Sequence, residues 1–278
     1  MLAVLASYAQ FVAIYIILGW AIYLVFRGGQ LSAAPIYTMA IGAYASAYAV
    51  RDLGWPFAPV LAMAVGFGAL ATFLPALKLS RAPGFAAIIA TVAGIFITQT
   101  VIRNLGFLGG LQGIYNIPRV PHLVPLAWVS VVIIGFFIYR LENSSIGRAT
   151  EVTFTDPDLA STFGTNIYKT NVFLWTAAGA MGALAGGFYA ATIGAISPGD
   201  FGLSLLLLIV TFVFIGGYTT MWGVVIFTPI MYAISMFLPE AVATWRDIIC
   251  GALLIGILIL RPEGAIDKKT LRALRLKS

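Results

Sequence analysis

Nine apolar runs, many of them close to the length of a membrane-crossing helix, take up most of this chain and hold almost no charge in their interiors. They fall at roughly 4–26, 31–50, 57–77, 84–102, 123–139, 171–193, 203–217, 221–238 and 246–260. About 20 apolar residues coiled as a helix cross a hydrocarbon layer of about 30 Å. Hydrophobic residues make up 61% of the chain, where about half is usual for a soluble domain. The expected fold is therefore all-α: one polytopic transmembrane helical bundle over residues 1–278, with about eight or nine spans and one or more broken helices. The seventh and eighth runs are short and parted by IGGYTTMWG, so they read as two spans or as one broken helix. The opening MLAVLASYAQF lacks a basic leader and is expected to begin a permanent span.

Composition narrows the function. One cysteine, Cys250, excludes an internal disulfide and a Cys-cluster metal site, and the single histidine, His122, excludes multi-His metal chemistry. No cofactor is expected. The net charge of +6 matters through its placement, because Lys and Arg favour cytoplasmic loops. With nine spans and an outside N-terminus, twelve of the sixteen basic residues face the cytoplasm, and only Arg51, Arg103, Arg119 and Arg246 do not. The basic tail DKKTLRALRLKS reads as a helix on anionic inner-leaflet lipid, not as a nucleic-acid contact.

Against this background EVTFTDPDLASTFGTN, residues 151–166, is an island of charge. Glu142, Glu151, Asp156 and Asp158 are four of the ten acids in the chain. Asp156 suits an N-cap, Pro157 the first helical position, Asp158 the positive end of the helix dipole and Gly164 the closing position. A helix over 157–163 follows, with Leu159 and Phe163 adjacent on its apolar face. It reads either as a docking element for a partner or as a solvated loop or headgroup-lying helix, and its acids suit the last poorly.

Polar residues mark the second and fourth runs: Gln30, Ser32, Tyr37, Thr38 and Tyr44, then Thr91, Thr98, Gln99 and Thr100. Gln30, Ser32, Pro35, Tyr44, Thr98 and Gln99 are candidates for a weakly polar translocation path. Helix–helix hydrogen bonding is the plainer role for any one of them. Pro35, inside an apolar run, suggests a kink or break beside a cavity. The small-residue run AAGAMGALAGG, 177–187, spaces Gly179, Ala183 and Gly187 for close helix packing, within the bundle or across a dimer. Asp200, Arg103 and Arg119 read as interfacial charges or as contacts for an external protein.

Several stretches resemble permease subunits of ABC importers for branched-chain amino acids, of the LivM type. They are Gly147-Arg148-Ala149, Phe163-Gly164, Asn166 and Lys169, Ser197-Pro198 with Phe201-Gly202, GGQLS and IGAY at 28–32 and 41–44, FIGGYTTMWGVV at 214–225, and RPEG at 261–264. The resemblance implies that the protein is not an enzyme. It implies a bacterial inner-membrane location, cytoplasmic ATP-binding subunits, a second permease subunit (identical or different) and an external solute-binding protein. It also implies that residues 151–166 form the coupling element docking on the ATPase, with Glu151, Asp156, Pro157, Asp158, Leu159, Phe163 and Gly164 in that role. Branched-chain or other hydrophobic amino acids are the implied solutes, with urea, amides or small carboxylates, aromatic ones included, as alternatives. The chain departs from the family pattern at Ser32-Ala33-Ala34-Pro35-Ile36, at Ala265 and in lacking a first helix that longer members carry. A secondary carrier would need ionisable groups within the spans, and a lipid-modifying enzyme would need clustered Asp, His or Lys; neither pattern is present.

Overall fold

The computed structural model describes residues 2–118, 120–155 and 166–237, with a few further positions between 251 and 259. The helices are α1 (Leu2–Arg27), α2 (Ala34–Arg51), α3 (Phe57–Leu79), α4 (Gly84–Asn104), α5 (Leu123–Glu142), α6 (Ser145–Thr155), α7 (Ile167–Ile193), α8 (Leu203–Gly216) and α9 (Met221–Phe237). Among the described residues five helices, α1, α3, α4, α5 and α7, are long and apolar enough to cross a membrane, and α8 and α9 are shorter apolar helices. α2 has 18 residues and is buried on nearly all sides. The seventh and eighth runs are separate helices, and most of the ninth run lies outside the described residues.

α7 is the centre of the bundle, packing most extensively on α2, then on α3 and α1. Its small residues make this possible. Gly182 sits against the Pro35 carbonyl and the Thr38 hydroxyl, Gly186 against the backbone of Met39 and Ala43, and Gly179 against Gly68 and Thr72. A side chain at any of these positions would enter the neighbouring helix. The run at 177–187 thus packs within the bundle.

Contacts sort the connections into two ends. Gln30 meets the 79–82 turn, Tyr168 donates to the Leu77 carbonyl and Arg81 lies over the Tyr168 ring. Phe26 and Phe154 both touch Tyr218. Arg27, Lys78, Arg81, Arg140, Arg148 and Lys169 all belong to this basic end. At the opposite end the Ile114–Ile196 bridge joins the 105–122 and 194–202 connections, near Arg51 and Arg103. Among its described residues the Gly-rich 105–122 connection is irregular, with a 3-10 turn at Gly106–Leu108.

One expectation changes. Pro35 does not kink a span: it occupies the first turn of α2, where its fixed φ suits helix entry and its missing N–H removes nothing. The connection after the fifth run is largely helical before residue 156. α5 continues to Glu142, and Ser144 then starts α6 by donating to Leu141 O and accepting from Gly147 N. The buried face of α6 is Gly147, Thr150 and Thr153, small and hydroxylic.

Gly186→Val should lower thermal stability in detergent by about 1–3 kcal/mol, since the added side chain overpacks the α7–α2 contact. Gly66→Ala, where an added Cβ meets nothing within 4 Å, should leave the melting temperature close to that of the wild type.

Candidate functional site

The sequence-derived site residues separate into three places. At the basic end, α6 is fastened to the end of α1. Arg27 Nη1 lies 2.7 Å from Glu142 Oε1 and donates to the Tyr23 hydroxyl at 3.0 Å. Tyr23 in turn donates to Glu142. Arg27 Nη2 is 3.6 Å from Glu151 Oε2. Glu151 therefore faces Arg27 while remaining half exposed. Phe26, Phe154, Phe214 and Tyr218 form a ring cluster beside the ion pairs, with centroids 5.1 Å apart for Phe26–Tyr218 and 5.5 Å for Phe26–Phe154. Asp156, Pro157, Asp158, Leu159, Phe163 and Gly164, and with them the expected helix over 157–163, lie outside the described residues. Asn166 begins the next described stretch, and its side chain caps α7 by accepting from Lys169 N at 3.0 Å.

The second place is the turn before α2. Gln30 Oε1 accepts from Trp175 Nε1 at 2.9 Å. Its Nε2 points at the carbonyls of Leu79, Ser80 and Ala82, at 3.5, 3.4 and 3.3 Å. One amide thereby joins the α1–α2 turn, the α3–α4 turn and α7. Ser32 accepts from Ala34 N at 3.1 Å, and Thr91 accepts from Ala33 N at 3.0 Å. Gln30 and Ser32 thus fasten helix ends. Trp175 is the partner that sequence reasoning missed; one tryptophan in an apolar run carries no signal of its own.

The third place is the seam between α2 and α4. Tyr37, Ile41, Tyr44 and Tyr48 share one face of α2 by helical spacing. A cleft of about 360 Å3 lies between that face and Ile97, Thr98 and Val101 of α4, extending to Phe107 at the end opposite the basic one. Tyr44 and Thr98 both line it. The Tyr37 ring packs over Gly94. The Tyr37 and Tyr44 hydroxyls are buried without a hydrogen-bond partner, which is uncommon for buried polar groups. Gln99 is turned elsewhere, donating to Phe201 O at 3.1 Å and so holding α4 to the 198–201 turn. Asp200 closes that turn by accepting from Ser197 N at 2.8 Å. Arg103 is exposed near the same end, and Arg119 lies outside the described residues. Among the described residues no three His, Cys, Asp or Glu side chains gather as a metal site.

Residues 4–258 match the family described as the permease component of branched-chain amino acid transport systems. The high-affinity branched-chain amino acid transport system permease proteins LivM of Salmonella typhimurium and Escherichia coli are each 26% identical over 305 aligned positions, covering 97% of this chain and 71% of theirs. The autoinducer 2 import system permease protein LsrC of Yersinia pseudotuberculosis is 25% identical over 230 positions, 72% of this chain and 64% of LsrC. No solved structure matches.

Gln30→Leu should lower stability by about 1–3 kcal/mol, because buried hydrogen-bonding groups lose their partner. Trp175→Phe should cost less. Together the two should cost less than their sum, since they remove one shared bond; melting in detergent reads all three.

Proposed function

We propose, for a chain that belongs to the family of branched-chain amino acid transport permease components, that it forms one half of the membrane path of an ATP-driven importer. A second permease subunit completes the path, two cytoplasmic ATP-binding subunits drive it and an external binding protein delivers the solute. The observation that carries this reading is the division of the bundle into two unlike ends. Six basic residues gather at one end, which the preference of Lys and Arg assigns to the cytoplasm. From that end α6 runs into the acidic segment 156–165, suited to an ATPase groove. Arg51 and Arg103 stand at the other end, where a binding protein would release its cargo.

The proposed path follows the α2–α4 seam. Its lining is apolar apart from Tyr and Thr hydroxyls, so it holds no solute tightly by charge. Between their ends the described spans also lack the ionisable groups that a proton- or sodium-driven carrier uses, which supports an energy source on another chain. Hydrophobic amino acids suit such a lining. The likeness to LivM covers more of the chain than the likeness to LsrC, which favours amino acids over autoinducer 2 as the solute.

Co-purification with the neighbouring ATPase tests the assembly. The wild type should retain it, and Leu159→Asp/Phe163→Asp should lose it while remaining folded. Equal retention would overturn the docking role of residues 156–165, and failure of the wild type would overturn the importer itself. Thr98→Trp, which fills the cleft, should abolish uptake in reconstituted vesicles with the ATPase still bound. Unchanged uptake would remove the α2–α4 seam from the path.

A further inference from the structure

Arg27 ends an apolar span. Arginine at such a boundary can extend its stem and keep its head in water or among lipid headgroups. Here the head turns inward and the side chain is only 11% exposed. Its two terminal nitrogens serve different helices: Nη1 meets Glu142 of α5 and Tyr23, and Nη2 meets Glu151 of α6. The ring cluster of Phe26, Phe154, Phe214 and Tyr218 lies against the same junction. α6 therefore reaches not only its chain neighbour α5 but also α1, and α1 carries α5, α7, α8 and α9 on its flanks.

The two ion pairs are unequal. Arg27–Glu142 is short, and Glu142 is 20% exposed; Arg27–Glu151 is longer, and Glu151 is 55% exposed. Breaking the first strands a largely buried charge and should be destabilising. An exposed pair such as the second contributes little to stability, so its value lies in where it holds α6. The fork meets the two carboxylates with separate nitrogens, at 2.7 and 3.6 Å, whereas lysine offers a single compact charge.

We propose that Arg27 is the positioning residue through which movement of the ATPase-docking segment reaches the membrane bundle: Nη1 anchors the guanidinium to α5 and Nη2 carries α6 against α1. This rests on the importer reading above. Movement passed from the ATPase to α6 is conveyed to α1 by the guanidinium and the ring cluster.

The test uses the whole importer in vesicles, with uptake and ATP hydrolysis measured in the same preparation and normalised to assembled complex. Arg27→Lys, which can keep the Glu142 pair but not both, should lower the solute carried per ATP by about tenfold, within the usual range of coupling between distant sites. Glu151→Gln should lower the same ratio, with its melting temperature near that of the wild type. Glu142→Gln should chiefly lower the melting temperature. A wild-type ratio in both Arg27→Lys and Glu151→Gln would overturn the proposal. So would a loss of uptake that only tracks lost assembly, which is the mark of a purely structural ion pair. A wild-type chain that binds no ATPase would instead overturn the importer reading, and this inference with it.

Discussion

The backbone contact between α7 and its neighbours α2 and α3 is the constraint on which the rest of the structure depends. In lipid no hydrophobic force draws one apolar helix to another, so association rests on close packing and on hydrogen bonds between helices. Glycine and alanine on α7 meet glycine and small residues on α2 and α3, and the three helices approach until backbone touches side chain and backbone alike. α2, surrounded in this way, need not be strongly apolar to lie within the bundle. α1 then covers another side of α7 with a nearly continuous buried surface from Val12 to Val25. The large exposed side chains of α3, α4 and α5, among them Leu70, Phe96 and Phe136, face outward, as lipid-facing or subunit-facing positions should.

The same scarcity of water decides what polar side chains do. Most of those in the helices settle their hydrogen bonds locally or across the bundle. Thr38, Thr72, Thr91 and Thr211 return to carbonyls one turn back, while Gln30 and Gln99 reach loops from other parts of the chain. Polarity alone is thus a poor guide to a path through a membrane protein. Unmet polarity that coincides with open space is a better one, and it points to Tyr44, whose buried hydroxyl has no partner and whose side chain lines the cleft. Of six residues that sequence reasoning placed on the path, Tyr44 and Thr98 line the cleft. Gln30, Ser32, Pro35 and Gln99 build helix ends and ties.

The spans were legible because lipid imposes length and apolarity together, and both are plain in runs such as 57–77 and 123–139. The gathering of basic residues at one end was legible for a similar reason, since charge at span ends has few places to go. α6 was not. Ile146, Ala149 and Val152 share one face at helical spacing, but the buried positions are Gly147, Thr150 and Thr153, small and hydroxylic groups that fit a crowded junction and that hydrophobicity alone does not pick out. Pro35 misled because proline in an apolar run has two meanings, a kink or a helix start, and only the position of the helix boundary separates them. Glu151 was read as facing a partner; its carboxylate has an internal one in Arg27, which a sequence separation of over a hundred residues conceals.

These features divide the molecule into a tightly packed core and sparsely held margins. Close-packed interiors transmit displacement instead of absorbing it, so α1, α2, α3 and α7 should move as one body. α4 is attached differently: it packs along α2 and on the 198–201 turn, touches α3 lightly, and is fixed by single bonds from Thr91 and Gln99. α6 is likewise lightly attached, through small contacts with α5, α7 and α1 that include the Arg27 guanidinium and the ring cluster. A transporter needs a rigid frame together with elements that can shift against it, and the sparsely held elements are those beside the proposed path and the proposed ATPase contact. α1 connects the two: it receives α6 at Arg27 and lies against α7, whose opposite flank supports α2 and the seam with α4. Motion entering at the basic end therefore has a continuous, well-packed route to the cleft, with no ionisable side chain needed inside the membrane to convey it.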